Sequence, residues 1–134
     1  MPDVPPVRVL VVDDQKLFRT AAKAVLRRSP GFDLVGEAAT GEEGVDLAAE
    51  LAPDLVLMDI NMPGINGLEA TRRIVANAAE MVVFLCSTYT LSELPPGAAS
   101  SGARAYVNKE DLGPVVLRRL WDERDAPCEG LLTA

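Results

Sequence analysis

Three acidic side chains stand where apolar runs stop. Val7 to Val12 reads VRVLVV and is followed by Asp13 and Asp14, while Leu55 to Met58 reads LVLM and ends on Asp59. Ser87 follows the apolar run Met81 to Cys86, and Lys109 comes soon after the short run Ala105 to Val107. If the first and third of these runs are neighbouring strands, the carboxylates converge. Like charges packed together raise one another's pKa unless a cation neutralises them. A hard cation with oxygen ligands, most simply Mg²⁺, would do so; it takes one or two carboxylates, keeps waters and binds phosphate. A metal, a lysine and a hydroxyl around one carboxylate are what a phosphoryl group on that carboxylate needs. The cations neutralise its charge and the hydroxyl donates a hydrogen bond. Taken alone, Asp13-Asp14 reads equally well as a pair of solvated turn acids, and Lys109 as a solvated loop lysine. Asp59, with Met62-Pro63 and Gly67 behind it, tips the balance to a site.

The elements that must position these groups alternate. Val7–Val12, Phe32–Ala38, Leu55–Asp59, Met81–Cys86 and Ala105–Val107 are predicted strands. Lys16–Arg28 carries Leu17, Ala21, Ala24, Val25 and Leu26 at helical spacing and is stopped by Ser29-Pro30-Gly31. Thr40-Gly41-Glu42-Glu43 has the acids of a helix first turn, and Val45, Leu47, Ala48 and Leu51 continue that helix to Pro53. Leu68–Ala76 and Val115–Arg124 are the other predicted helices, the last with Pro114 near its first turn. Strands alternating with helices predict a mostly parallel, doubly wound α/β sheet. One segment breaks the rhythm: Pro95-Pro96-Gly97, within Ser92–Ala103, cannot lie inside a regular helix. The fourth helix is therefore expected to be short, late or replaced by a loop. Residues 1–6 read as an extended lead-in, 7–124 as one domain and 125–134 as a loose tail.

Composition narrows the function classes. The chain has 134 residues, enough for one domain with a full core, and a formal net charge of −7. That charge argues against a nucleic-acid surface, which needs clustered Lys and Arg. The absence of histidine excludes His-based triads, His metal ligands and a phosphohistidine within this chain. Two cysteines, Cys86 and Cys128, are too few and too distant for a metal or disulfide framework. No apolar stretch is long enough to span a membrane, and the N-terminus lacks the pattern of a signal peptide, so a cytoplasmic location is expected.

At this point the chain resembles a response-regulator receiver domain of two-component signalling. The resemblance is carried by VVDD at 11–14, D-x-x-M-P-x-x-x-G from Asp59 to Gly67, Ser87, and G-A-x-A-Y-V-x-K ending at Lys109. It implies a flavodoxin-like, five-stranded parallel sheet of order 2-1-3-4-5. It also implies Asp59 as phosphoacceptor and Asp14 and Asp59 as Mg²⁺ ligands, with the Asn61 backbone carbonyl as a further ligand and Asp13 acting through water. Ser87 would be the switch hydroxyl, Lys109 the phosphate-contacting lysine, and Tyr106 the aromatic that changes rotamer with Ser87. The implied partners are a sensor histidine kinase as phosphodonor and a protein effector. In this family the receiver itself assists transfer and later hydrolysis.

Several positions depart from the family pattern. Thr88 stands where a small residue is usual and could narrow access to Asp59. Asn61 and Tyr89 occupy positions that tune phosphoryl lifetime. Glu110 replaces a common proline after Lys109, so no cis peptide is expected there. Pro95-Pro96-Gly97 falls on the family's output face. The chain stops soon after the closing helix, which leads to the expectation of a stand-alone regulator acting by protein contact. Two alternatives stay open: a receiver-like interaction module that is not phosphorylated, and an N-terminal fragment of a transcriptional regulator. An aspartyl-nucleophile phosphatase fits less well, since a second acid would be wanted at position 61. Val115, Val116, Leu117, Leu120 and Trp121 exceed one core-facing stripe, which is read as deep burial or as a homodimer face.

Overall fold

A six-stranded, wholly parallel sheet organises the molecule. The computed structural model describes residues 4–126 and 130–133. The strands are β1 (Val7–Val12), β2 (Phe32–Ala38), β3 (Leu55–Asp59), β4 (Val82–Ser87), β5 (Ala105–Asn108) and β6 (Leu132–Thr133). Their order is β2-β1-β3-β4-β5-β6. The α-helices are α1 (Lys16–Arg27), α2 (Gly41–Leu51), α3 (Gly67–Asn77) and α4 (Pro114–Asp122). No described helix is long and apolar enough to cross a membrane.

The central strands are apolar throughout because both faces of the sheet are covered. Every residue of β3 and of β4 is buried, as expected where helices flank a parallel sheet on both sides. Side chains alternate between the faces. Val9, Val11, Leu55, Leu57 and Phe84 pack with Ala22 and Leu26 of α1 and with Leu117 and Leu120 of α4. Leu10, Val12, Val56, Met58 and Leu85 pack with Ala48 of α2 and with Leu68, Ala70 and Ile74 of α3. Two helix starts are capped locally: Thr40 Oγ accepts from Glu43 N at 3.1 Å, and Asn66 Oδ1 accepts from Glu69 N at 2.9 Å.

Three expectations need correction. First, the sheet has a sixth strand, and the tail is not loose throughout. Leu132 and Thr133 pair in parallel with Ala105 and Tyr106, because the outer edge of β5 offers unpaired backbone groups that an extended segment satisfies. Cys128 lies outside the described residues. Second, α1 turns a different face inward. Leu17 is 87% exposed, Ala21 and Ala24 are exposed, and the covered residues are Phe18, Ala22, Val25 and Leu26. Those four follow the i, i+4, i+7, i+8 rows of one helix face. Third, α4 divides its apolar residues. Leu117 and Leu120 are fully buried, Val116 and Trp121 are half-buried, and Val115 is 82% exposed. Leu117 therefore cannot serve as a contact surface.

The Pro-rich segment behaves as its composition predicts. Between β4 and β5 there is one short 3₁₀ turn, Leu91–Glu93, and no α-helix. Bends and turns follow, closed by Ser101 Oγ donating to Ala98 O at 2.7 Å.

Candidate functional site

The site is assembled by register. Val12 of β1 lies beside Met58 of β3, so the next residues, Asp13 and Asp59, leave the sheet side by side. Across β3 from β1, Asp59 is opposite Cys86 of β4, and Ser87 is opposite Asn108 of β5. Lys109 begins the 3₁₀ turn Lys109–Asp111 directly after β5. Ligand groups thus gather at the carboxyl ends of parallel strands, where open α/β sheets place their sites.

Asp13, Asp14 and Asp59 each offer a carboxylate oxygen within 4.8 Å of the others. Asp13 is fully buried, Asp59 is 5% exposed, and Asp14 is exposed. Asp13 is held tightly: its Oδ1 accepts from Gln15 N at 2.8 Å, and its carbonyl accepts from Arg19 Nη1 at 2.7 Å. Its Oδ2 lies 2.8 Å from Lys109 Nζ, yet accepts no well-directed hydrogen bond. Lys109 Nζ is also 3.6 Å from Asp59 Oδ1. Burial, reinforced by the neighbouring Asp13 and Asp14, pushes the Asp59 carboxyl up to about 6, against the lowering effect of Lys109. The donor set is all oxygen, it is under-neutralised, and it contains a buried carboxylate oxygen without a proper partner. These features fit a hard divalent cation.

The other expected residues fall around this cluster. Ser87 is 3% exposed at the end of β4. Asn61 and Thr88 are exposed in the loops that follow β3 and β4. Tyr106 is 2% exposed, and its hydroxyl donates to the carbonyls of Ser87 at 3.0 Å and Tyr89 at 2.6 Å. Burial raises its pKa to about 12. The aromatic therefore already fills the buried position beside Ser87. No cis peptide occurs among the described residues, Lys109–Glu110 included.

Several contributors were not foreseen. Lys109 Nζ donates to Gln15 Oε1 at 3.3 Å and stands 4.6 Å from the centroid of the Phe18 ring. Gln15 and Lys109 are 94 positions apart, and no local pattern links them. Asn61 Nδ2 donates to Tyr89 Oη at 2.7 Å, joining two loops at the mouth of the site. Gly67, which ends the motif that begins at Asp59, has a steric role. A Cβ there would stand 1.8 Å from the Asp59 carbonyl oxygen, and Gly67 N donates to Ile60 O at 2.7 Å. Only glycine lets the start of α3 press against the end of β3.

Comparison with known proteins identifies the family. The response regulator receiver domain model matches residues 9–118, and the chain belongs to that family. Response regulator UvrY of Escherichia coli strain K12 is 40% identical over 103 residues, covering 77% of this chain and 47% of its own length. The chain spans about half the length of the curated relatives it matches. Among solved structures, a LuxR-family two-component response regulator from Aurantimonas sp. SI85-9A1 superposes with a TM-score of 0.78 at 32% identity, covering 87% of this chain and 83% of that one. The CheX-CheY-BeF3-Mg complex from Borrelia burgdorferi gives a TM-score of 0.74 at 28% identity, covering 88% and 89%.

Proposed function

We propose that this receiver domain accepts a phosphoryl group on Asp59 from a sensor histidine kinase, or from a small phosphodonor, and thereby changes a protein-contact surface. The observation that carries this reading is a buried carboxylate at the end of β3 with two acids and one lysine gathered around it. Asp14, Asp59 and the Asn61 carbonyl, with Asp13 through water, would hold Mg²⁺, which when bound neutralises charge on phosphoryl oxygens. An Asp59 carboxylate oxygen attacks phosphorus; the new O–P bond forms as the bond to the donor breaks, and the electron pair leaves with the donor. Lys109 moves from its partners Asp13 and Gln15 to pair with the transferred group. The Ser87 hydroxyl donates to it. The Tyr106 hydroxyl donates to the Ser87 carbonyl, so movement at Ser87 is felt at Tyr106.

The test is intact mass after incubation with acetyl phosphate and Mg²⁺, beside Asp59→Asn. Gain of one phosphoryl group in the parent alone is the expected result. Gain in the Asn variant would move the acceptor elsewhere.

One observation favours a second reading, a contact module that works without phosphorylation. Tyr106 is already buried, with both of its carbonyl partners engaged. Under that reading, parent and Asp59→Asn bind the effector equally, whether or not phosphodonor is present.

A further inference from the structure

The geometry points to the outer edge of β5 as a strand-acceptor site. Its ligand is an extended peptide added in parallel, and residues 131–133 of this chain fill it in cis as an exchangeable occupant. This rests on sheet geometry and not on the phosphoryl chemistry at Asp59.

The edge presents a specific set of groups. Leu132 lies opposite Ala105 and Thr133 opposite Tyr106. Leu132 N donates to Arg104 O at 2.9 Å. From α4, Arg119 Nη2 donates to the carbonyl of Thr133 at 2.9 Å. The side chains alternate as a strand requires: Leu131 packs against the cluster shared with α2 and α3, and Leu132 against the cluster shared with α1 and α4. An occupant therefore needs two consecutive apolar residues, one for each face of the sheet, followed by a free carbonyl for Arg119. Main-chain pairing with alternating side-chain half-sites is the recognition mode of β-strand addition.

The cis occupant holds this edge lightly. Only two of the four β5 residues are paired on this side, against four on the β4 side. Thr133 is exposed and Leu132 only half-buried. A cavity of about 170 Å³ borders Thr133, walled by Tyr89, Leu91, Tyr106, Asn108 and Asp111. Asn108 lines this cavity, and neither Val107 nor Asn108 is paired with β6, so a longer strand finds more to contact than the two residues of β6 do. The segment between β4 and β5 leaves this opening because it forms turns in place of a helix.

The experiment uses the full chain and a synthetic peptide of residues 129–134. In the Leu131→Asp/Leu132→Asp variant the cis occupant loses both apolar anchors. The main-chain amides of β5 that point toward β6 are followed by NMR and by hydrogen exchange, with circular dichroism confirming the fold. In the parent these amides exchange slowly, and added peptide has little effect, because a tethered segment competes at an effective concentration on the order of millimolar. The variant is expected to exchange at least ten-fold faster at those amides. It is also expected to bind the peptide at least ten-fold tighter than the parent, which restores slow exchange. A chain carrying Leu132→Pro, which lacks the N–H received by Arg104 O, gives the same result by a different route. Unchanged exchange in both variants would overturn the proposal. So would failure of the peptide to bind them, or equal binding by a peptide with proline at the Leu132 position.

Discussion

Asp59 sits in its carboxylate form at a cost that pH can reveal. Its ordinary value of 3.8 rises to about 6 in the folded chain, chiefly through burial. The folded state thus holds the proton more tightly than the unfolded state. The stability linked to this is fully present below about pH 4 and is lost as pH rises through 6. Asp59→Asn carries no such loss. In chelator, the variant is expected to exceed the parent above pH 6 by on the order of 2 kcal/mol, with the difference closing near pH 4; urea melts across that range would show it. A variant no more stable than the parent at pH 7.5 would mean that Lys109 already neutralises the site. The Asn61–Tyr89 hydrogen bond across the mouth supports a second expectation. Tyr89→Phe removes its acceptor and opens a path for water. Loss of one such bond, about 1 kcal/mol, would shorten the phosphoryl half-life about five-fold, read by the decay of phosphorylated mass.

At the scale of elements, two contacts decide whether the site forms. The close approach of α3 to β3 is one. Gly67→Ala places a Cβ into the Asp59 carbonyl, so backbone must shift at the phosphoacceptor itself. A stability loss of roughly 1–3 kcal/mol, together with impaired phosphoryl uptake, is expected from thermal melts and intact mass. Uptake at the parent's rate would show that the loop absorbs the shift. The other contact is the packing of α1, which carries Gln15 and Phe18 to Lys109. Leu26 is 3% exposed and Leu17 is 87% exposed. Leu26→Ala should therefore cost about 2–5 kcal/mol, whereas Leu17→Ala should stay within about 0.5 kcal/mol. Helical spacing alone made both look interior. Leu17 and Leu26 lie nine residues apart, half a turn out of phase on an α-helix, so only one of them can face the sheet.

At the scale of the whole molecule, two apolar layers share one sheet, and this predicts a single cooperative transition. Trp121 reports on it well, being the one tryptophan and packed edge-on against Phe32 at 6.3 Å between ring centroids. Trp121 fluorescence and far-ultraviolet dichroism should give coincident urea midpoints; separated midpoints would show that α4 melts on its own. Much of this architecture was legible in local residue pattern. Apolar runs such as VRVLVV and LVLM fit strands covered on both faces, and their alternation with amphipathic segments leaves few topologies besides a parallel doubly wound sheet. The acids at the ends of β1 and β3, the lysine after β5 and the helix-breaking Pro95-Pro96 are likewise local facts of chain chemistry. Other features depend on groups far apart in sequence and carry no local signature: Gln15 and Phe18 against Lys109, Asn61 against Tyr89, Gly67 against the Asp59 carbonyl, the inward face of α1, and the return of Leu132 to the edge of β5. A strand of two residues has too little periodicity to announce itself; it exists because β5 leaves backbone groups open. Residue type determined which of the longer elements form and which chemistry they carry. The tertiary structure alone decided which residues meet, since contact across many positions depends on how the layers close on one another.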